Sequence, residues 1–488
     1  MVQVKKWRLV QPTKLSNISP SNMVNQTKAR MQIKNIREAT YKIEDIIYKD
    51  FDTSEGPVTI IFSDSLTDKL TLQMLVYIPL GDNIQQIHQM SEMIDPQDLA
   101  VVTNKLVKGE TLVYFYNQNL LCSIDTYNPP TRNIGETETE TTIIGPQDYF
   151  TESLDTNISL IRRRIKNPVL KNENMIIGEQ TQTKISILYM DNIVDKKLLN
   201  ELKKRIDSVN QPRFTDISEL MQIIEDNPFS PFPQYYLTIK PDTIAHYLAD
   251  GRIVVMMDNS QGVMICPTSF LEMFFSIEDE YNRWSTASLI RVIRFFGFFL
   301  TIMITPTYIS ALSFHQEILP YELLLNIQES RLKVPFSPLF EVLFIELIIE
   351  VLKEAGTRMP SKIGQTIGIV GGIVIGTAAV EAGLVSNILI VIVAGSALLS
   401  FLAPTFQMGN TSRLIRYIFI ILAGLYGLYG QMLGFAWLII HLVRLRSLGV
   451  PFVVPVIPRR WSDLKDSIIR IPTKYLKKNE KVSEMERD

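Results

Sequence analysis

Hydrophobic and polar positions are segregated along this chain, and the segregation divides it into two halves. Up to about residue 35 the sequence is polar and aperiodic, which predicts a flexible arm over 1–35. Strand-like and helix-like patterns then alternate. Within 36–144, Thr71–Ile78 reads as a strand and Gln85–Ile94 and Asp98–Val107 as helices. Thr111–Tyr116 and Leu120–Tyr127, separated by polar Asn117–Asn119, read as a β-hairpin. Within 145–290, Phe150–Arg164 and Asp195–Val209 carry helical spacing, Lys184–Met190 reads as a strand, and Arg252–Met257 with Val263–Cys266 predicts a second hairpin. These patterns predict two water-soluble subdomains of α/β or α+β class.

The pattern changes near residue 291. Phe295–Phe314 is uncharged, long enough to cross a bilayer core. Thr366–Thr405 holds one charge, Glu381, and has length for two crossings with a turn near Gly383–Asn387. Tyr417–Ile440 is uncharged, and Val334–Val351 is strongly apolar apart from Glu341, Glu346 and Glu350. The expectation is an all-α, polytopic membrane domain over 291–457 with five to six membrane segments, then a charged tail over 458–488. Lys and Arg cluster at Arg283, Arg291 and Arg294, at Lys353, Arg358 and Lys362, at Arg413 and Arg416, and at Arg444, Arg446, Arg459 and Arg460. Positive-inside logic puts the soluble half and the tail in the cytoplasm. Both ends inside requires an even number of crossings. Tyr417–Leu442, interrupted by Gly424, Gly427, Gly430 and Gly434, is the segment expected to split.

Composition mainly adds exclusions. The net charge of −2 supplies no basic field, so no nucleic acid is expected. Cys122 and Cys266 lack CxxC spacing, which fits a reducing compartment, and four scattered histidines build no zinc motif. No metal, cofactor or cleavable secretory signal is expected. There is no GxSxG or HExxH, and no Lys-Ser/Thr follows Gly368–Gly372, so neither an enzyme nor a nucleotide loop is expected.

Three groups are candidates for function. Gly364, Gly368, Gly372 and Gly376 are four apart and share a helix face, which suits close helix packing within one subunit or between subunits. Glu341, Glu346 and Glu350, with Glu354, fall on one side of a helix. Carboxylates at membrane depth are costly unless paired or facing water, so they are candidates to line or gate a cation path. The alternatives are a helix lying in the interface, or pairing with Lys353, Arg358 or Lys362. Glu381, near a predicted helix end, joins the candidates, although interfacial exposure suits it better. Arg162, Arg163 and Arg164 are candidates for subunit or lipid contact, against a solvated helix end as the plainer reading.

Several blocks carry a family resemblance. They are Gly145–Glu152, Asn157 and Leu160–Ile165; Pro233-Gln234, Thr238–Asp242, Gly251-Arg252 and Met257-Asp258; Glu278–Tyr281, Pro306–Tyr308, His315–Pro320, Arg331–Pro335, Lys353–Pro360, Ile367–Gly371 and Gly449–Pro451. Over residues 35 to 457 the chain resembles the GerA spore germination proteins. It departs from their pattern at Ile239-Lys240, at Asp279–Tyr281 and at Asn259, where a glycine is frequent but asparagine tolerates the same left-handed turn. The resemblance implies an A subunit of a nutrient germinant receptor in the spore inner membrane, acting with B and C subunits. It also implies a homo-oligomer, expected to be a pentamer, that releases monovalent cations as a nutrient-gated channel. The alternatives are a secondary transporter component, a non-conducting scaffold, or the related sporulation-protein paralogue of the dipicolinate-release system.

Overall fold

Alternating apolar residues build a five-stranded antiparallel sheet from β1 (Ile46–Thr53), β2 (Gly56–Ser63), β3 (Glu92–Ile94), β4 (Glu110–Phe115) and β5 (Leu120–Asp125), in the order β1-β2-β4-β5-β3. The computed structural model describes residues 20–53, 55–82, 84–127, 144–358, 376–457, 469, 470 and 472. Strand alternation feeds two cores. Ile61, Leu112, Tyr114 and Leu121 meet Ile33, Ile36, Val102 and Leu106 on one face. Val58, Ile60, Val113, Phe115 and Ile124 meet Leu72, Val76, Leu80 and Ile87 on the other. The sheet is thus the middle of three layers.

Three expectations fail here, one of them in part: the helix predicted over Gln85–Ile94 ends at Met90, and Glu92–Ile94 is the strand β3. Of the arm predicted over 1–35, residues 1–19 lie outside the described residues; from Pro20 to Ala39 the chain is helical, and Ile33 and Ile36, one turn apart, bury themselves on the sheet. Thr71–Ile78, predicted as a strand, is helical. Asp68 caps its start by accepting from Thr71 N at 2.9 Å, and Leu72, Val76 and Leu80 fall on one face at helical spacing. A β-rich composition yielded to capping and periodicity.

The second sheet holds β6 (Leu170–Ile177), β7 (Thr183–Met190), β8 (Tyr236–Thr238), β9 (Ile253–Met257) and β10 (Val263–Cys266), in the order β6-β7-β9-β10-β8. Its topology repeats that of the first sheet strand for strand. Both predicted hairpins are present, with Val113 opposite Cys122 and Val255 opposite Met264. Asn259, in the second hairpin turn, has φ of 64°, the left-handed conformation expected of it. The expected α/β or α+β class is met by antiparallel sheets layered with helices.

The chain forms two compact units. One runs up to Ile224 and includes Leu237–Pro267; the other comprises Glu225–Tyr236 and the chain from Thr268. The boundary expected at 290 therefore falls at 267–268, and Glu225–Tyr236 leaves the first unit to join the second.

The second unit is helical. Two of its helices, Trp284–Ser313 and Phe406–Arg444, are long and apolar enough to cross a membrane, and Asn387–Ser400 is a shorter apolar helix. Pro338–Thr357 carries the glutamates, and Tyr321–Arg331 is a helix that the hydropathy pattern did not announce. Phe406–Arg444 breaks at Gly427, whose φ of 60° and ψ of −141° suit glycine alone. The chain reverses there. A Cβ on Gly430 would lie 2.1 Å from Leu422 O, and one on Gly434 3.2 Å from Phe419 Cζ, separations impossible along one straight helix. The segment expected to split is therefore a helical hairpin, its arms roughly 31 and 25 Å long at 1.5 Å per residue.

Candidate functional site

The Pro338–Thr357 helix has a low density of charge on a strongly apolar background, and its acidic residues do not share one open face. Glu341 and Glu346 are buried, Glu350 is half-buried, and Glu381 lies apart and exposed. Each of the first three meets an arginine from a different part of the unit. Glu341 Oε2 is 3.2 Å from Nε of Arg331, the last residue of the preceding helix. Its other oxygen accepts from Ser386 N at 2.6 Å, at the start of Asn387–Ser400, where the helix dipole favours a negative charge. Tyr308 extends this group through its hydroxyl, 3.1 Å from Ser386 Oγ.

Glu346 lies deeper among the helices. Its Oε2 is 2.8 Å from Arg416 Nη2, and Oε1 accepts from Thr305 at 3.3 Å. Arg416, wholly buried, also donates to Ser396 at 2.7 Å, and Ser396 donates to Thr301 O at 3.2 Å. Among the described residues, Glu346 Oε2 and Arg416 Nε have no hydrogen bond, although the two side chains touch as an ion pair. Glu350 accepts from Arg413 at 2.6 Å, and Lys353 donates to Ser400 at 3.1 Å. Glu354 pairs with Arg358 at the exposed end. With a rise of 1.5 Å per residue, the three buried or half-buried pairs form a ladder roughly 14 Å tall.

Such pairs are costly to assemble and costlier to break. Removing one partner of a buried pair strands the other charge, at a cost of about 3–5 kcal/mol. The arrangement cross-links four helices and the first hairpin arm at fixed register, and it holds ionisable groups where exchanging partners would rearrange the bundle.

The pairing offered by the sequence, with Lys353, Arg358 or Lys362, differs from the one found for Glu341, Glu346 and Glu350. Of the arginines that pair, Arg413 and Arg416 entered the sequence reading as orientation signals and Arg331 within a family-like block. A spacing signal was there: Arg413 and Arg416 lie three apart on one helix face, matching Glu346 and Glu350 four apart on another. Gly364, Gly368 and Gly372 lie outside the described residues. Gly376 is described, and a Cβ there would meet nothing within 4 Å among the described residues.

The arginine run sits in the first unit and is not uniform. Arg163 is exposed, and Arg164 forms a two-pronged contact with Asp148 at 2.5 and 2.6 Å. Arg162 points inward, 2% exposed, so the solvated helix end does not describe it. It donates to Asp45 at 2.9 Å, to Asn172 at 3.1 Å and to Leu170 O at 2.9 Å. Asp45 precedes β1 and Asn172 lies in β6, so Arg162 ties the two subdomains together. Burial pushes the Asp45 carboxyl up, but the Arg162 charge and hydrogen bonds from Arg162, Ser65 and Ser63 outweigh it and hold it below the usual value. Another family-like block behaves similarly: buried Asp279 is clasped by Arg294 at 2.8 Å and Arg291 at 3.4 Å.

Comparison with known proteins agrees with these blocks. Residues 34–482 match the family described as Bacillus/Clostridium GerA spore germination protein. The chain is 36% identical to spore germination protein KA of Bacillus subtilis strain 168, over 90% of this chain and 84% of that protein. It is 38% identical to spore germination protein GerQA of Bacillus cereus, over 93% and 91%. It is also 31% identical to the uncharacterized membrane protein YfkQ of Bacillus subtilis strain 168, over 90% and 88%. Among solved structures, it is similar to the N-terminal domain of the A subunit of the Bacillus megaterium spore germinant receptor GerK3. That likeness has 24% identity and a TM-score of 0.38, and it covers 49% of this chain and 94% of that one. With the match running through both units, the chain belongs to the GerA family of spore germination proteins.

Proposed function

We propose that this protein is the A subunit of a nutrient germinant receptor, set in the spore inner membrane with its soluble half in the cytoplasm. It works with B and C subunits and with further copies of itself, as a pentamer, to release monovalent cations when nutrient binds. The observation that carries this reading is the family match, which extends over residues 34–482 and so includes the membrane-length helices and the glutamate-bearing helix.

The ladder supports a gating role. Glu346 and Arg416 keep opposite charges buried inside the helical unit. Ionisable groups at that depth mark ion paths, and in the open arrangement the arginine leaves and the carboxylate faces a water-filled path. Nutrient binding elsewhere in the complex shifts that equilibrium only if it favours one arrangement over the other.

Reconstitution of the full chain, alone and with its B and C partners, tests the reading. Discrete conductance events that depend on nutrient are expected from the complex. Saturable substrate uptake without conductance would assign a transporter instead, and neither activity would leave a scaffold.

A further inference from the structure

Phe229 is 95% exposed, the most exposed large hydrophobic residue among those described. It is not on a slack loop. It sits in Asn227-Pro-Phe-Ser-Pro-Phe-Pro233, where three prolines fix φ and a tight set of hydrogen bonds fixes the rest. Asn227 Oδ1 accepts from Phe229 N at 3.2 Å, and Ser230 N donates to Asn227 O at 3.2 Å. Gln234, wholly buried, braces the turn from behind, accepting from Asn227 N at 3.0 Å and donating to Asn227 O at 2.7 Å. A built turn thus holds an aromatic ring out of the protein.

The same turn is bolted to the open end of the helical hairpin. Phe232 is buried against Phe270, Phe298 and His441. Thr411, near the start of the first arm, donates to Pro231 O at 2.6 Å, and Ser230 Oγ lies 2.9 Å from Nε2 of His441, near the end of the second arm. His441 stacks on Trp437, and Trp437, Ile440 and Val443 are all exposed. Phe229 is therefore held out from a turn fixed, through Ser230 and His441, to the hairpin end that bears this exposed strip. Beyond the strip, Arg444 and Arg446 are exposed, while the exposed Asp226 accepts from Gly449 N at 3.3 Å.

An aromatic ring held out at the end of a membrane-length hairpin that also exposes a tryptophan and arginines has the chemistry of the lipid interface. Aromatic rings favour that layer, and arginines there attract anionic headgroups. We infer that Glu225–Tyr236 is a lipid anchor, with Phe229 seated at the headgroup–acyl boundary of an anionic leaflet. This rests on the membrane placement proposed above. The anchor leaves the first unit at 224–225 and returns to it at 236–237, so the chain passes between the units at these two places besides 267–268.

The test uses the full chain, whose native Cys122 and Cys266 are both buried. Nitroxide labels are placed at Phe229→Cys, at Leu433→Cys on the exposed side of the hairpin, and at Gln222→Cys as a water-facing control. The labelled proteins are reconstituted in phosphatidylglycerol–phosphatidylethanolamine vesicles, and access to oxygen is compared with access to an aqueous nickel chelate. At 229 the oxygen-to-nickel ratio is expected to exceed that at 222 and to fall short of that at 433. A ratio at 229 equal to that at 222, with 433 in lipid, overturns the anchor and leaves the membrane placement standing. Water-like readings at both 229 and 433 overturn the placement itself. Exclusion of both reagents at 229 means that protein covers the ring, which also overturns the lipid anchor.

Discussion

Arg162 shows what one side chain contributes. Its guanidinium and Asp45 form a buried pair linking the two sheet-bearing subdomains, with Asn172, Ser63 and Ser65 filling the remaining positions. Replacing Arg162 with methionine keeps the volume and strands the carboxylate, so a loss of roughly 3–5 kcal/mol is expected in denaturant unfolding of the soluble unit. The pH dependence follows from the sign of the shift. A carboxyl held below its usual value in the folded state adds stability above its unfolded pKa of about 3.9. That stability is lost as pH falls through the folded value. The acid limb of the stability curve is therefore expected to flatten in Asp45→Asn, as measured by unfolding from pH 7 down to pH 3. The sequence displayed Arg162–Arg164 as one basic run. It did not display that neighbours on a helix point about 100° apart, sending one arginine inside and one to solvent.

At the scale of elements, periodic patterns were readable where both the period and the cap agreed. Leu99–Val107 and Lys196–Asp207 begin at the aspartate caps Asp98 and Asp195, and both hairpins lie where alternation and turn residues put them. Thr71–Ile78 misled because β-branched composition was weighed without the Asp68 cap. The break in Phe406–Arg444 was legible as a cluster of glycines, but only backbone geometry singles out Gly427. Alanine at 427 would hold a strained φ and press its Cβ within 2.9 Å of Phe314. Gly427→Ala is expected to destabilise the hairpin by about 1–3 kcal/mol, read as faster amide exchange over both arms. The fold-back also fixes sidedness. Cysteines at Asn410 and Arg444, near the two hairpin ends, are expected to label from the same side of intact vesicles. Labelling from opposite sides would mean a single straight crossing.

Over the whole molecule, the N-terminal half carries two five-stranded sheets of one topology, and the helical half is a bundle cross-linked by a charge ladder. The division between halves was plain in the segregation of charge. The partners of the ladder were not, because Glu346 and Arg416 lie 70 positions apart and only the packing of helices brings them together. The repeated topology was equally hidden, since strand order leaves no trace in local periodicity. On the proposed function, this ladder governs cation release by a germinant receptor subunit. Potassium release from spores after nutrient addition tests it directly, using Glu346→Arg, Arg416→Glu and the double exchange, with protein levels matched. Each single reversal is expected to abolish or uncouple nutrient-triggered release by placing like charges together, and the exchange is expected to recover it. Release indistinguishable from the parent in both single variants would contradict the account.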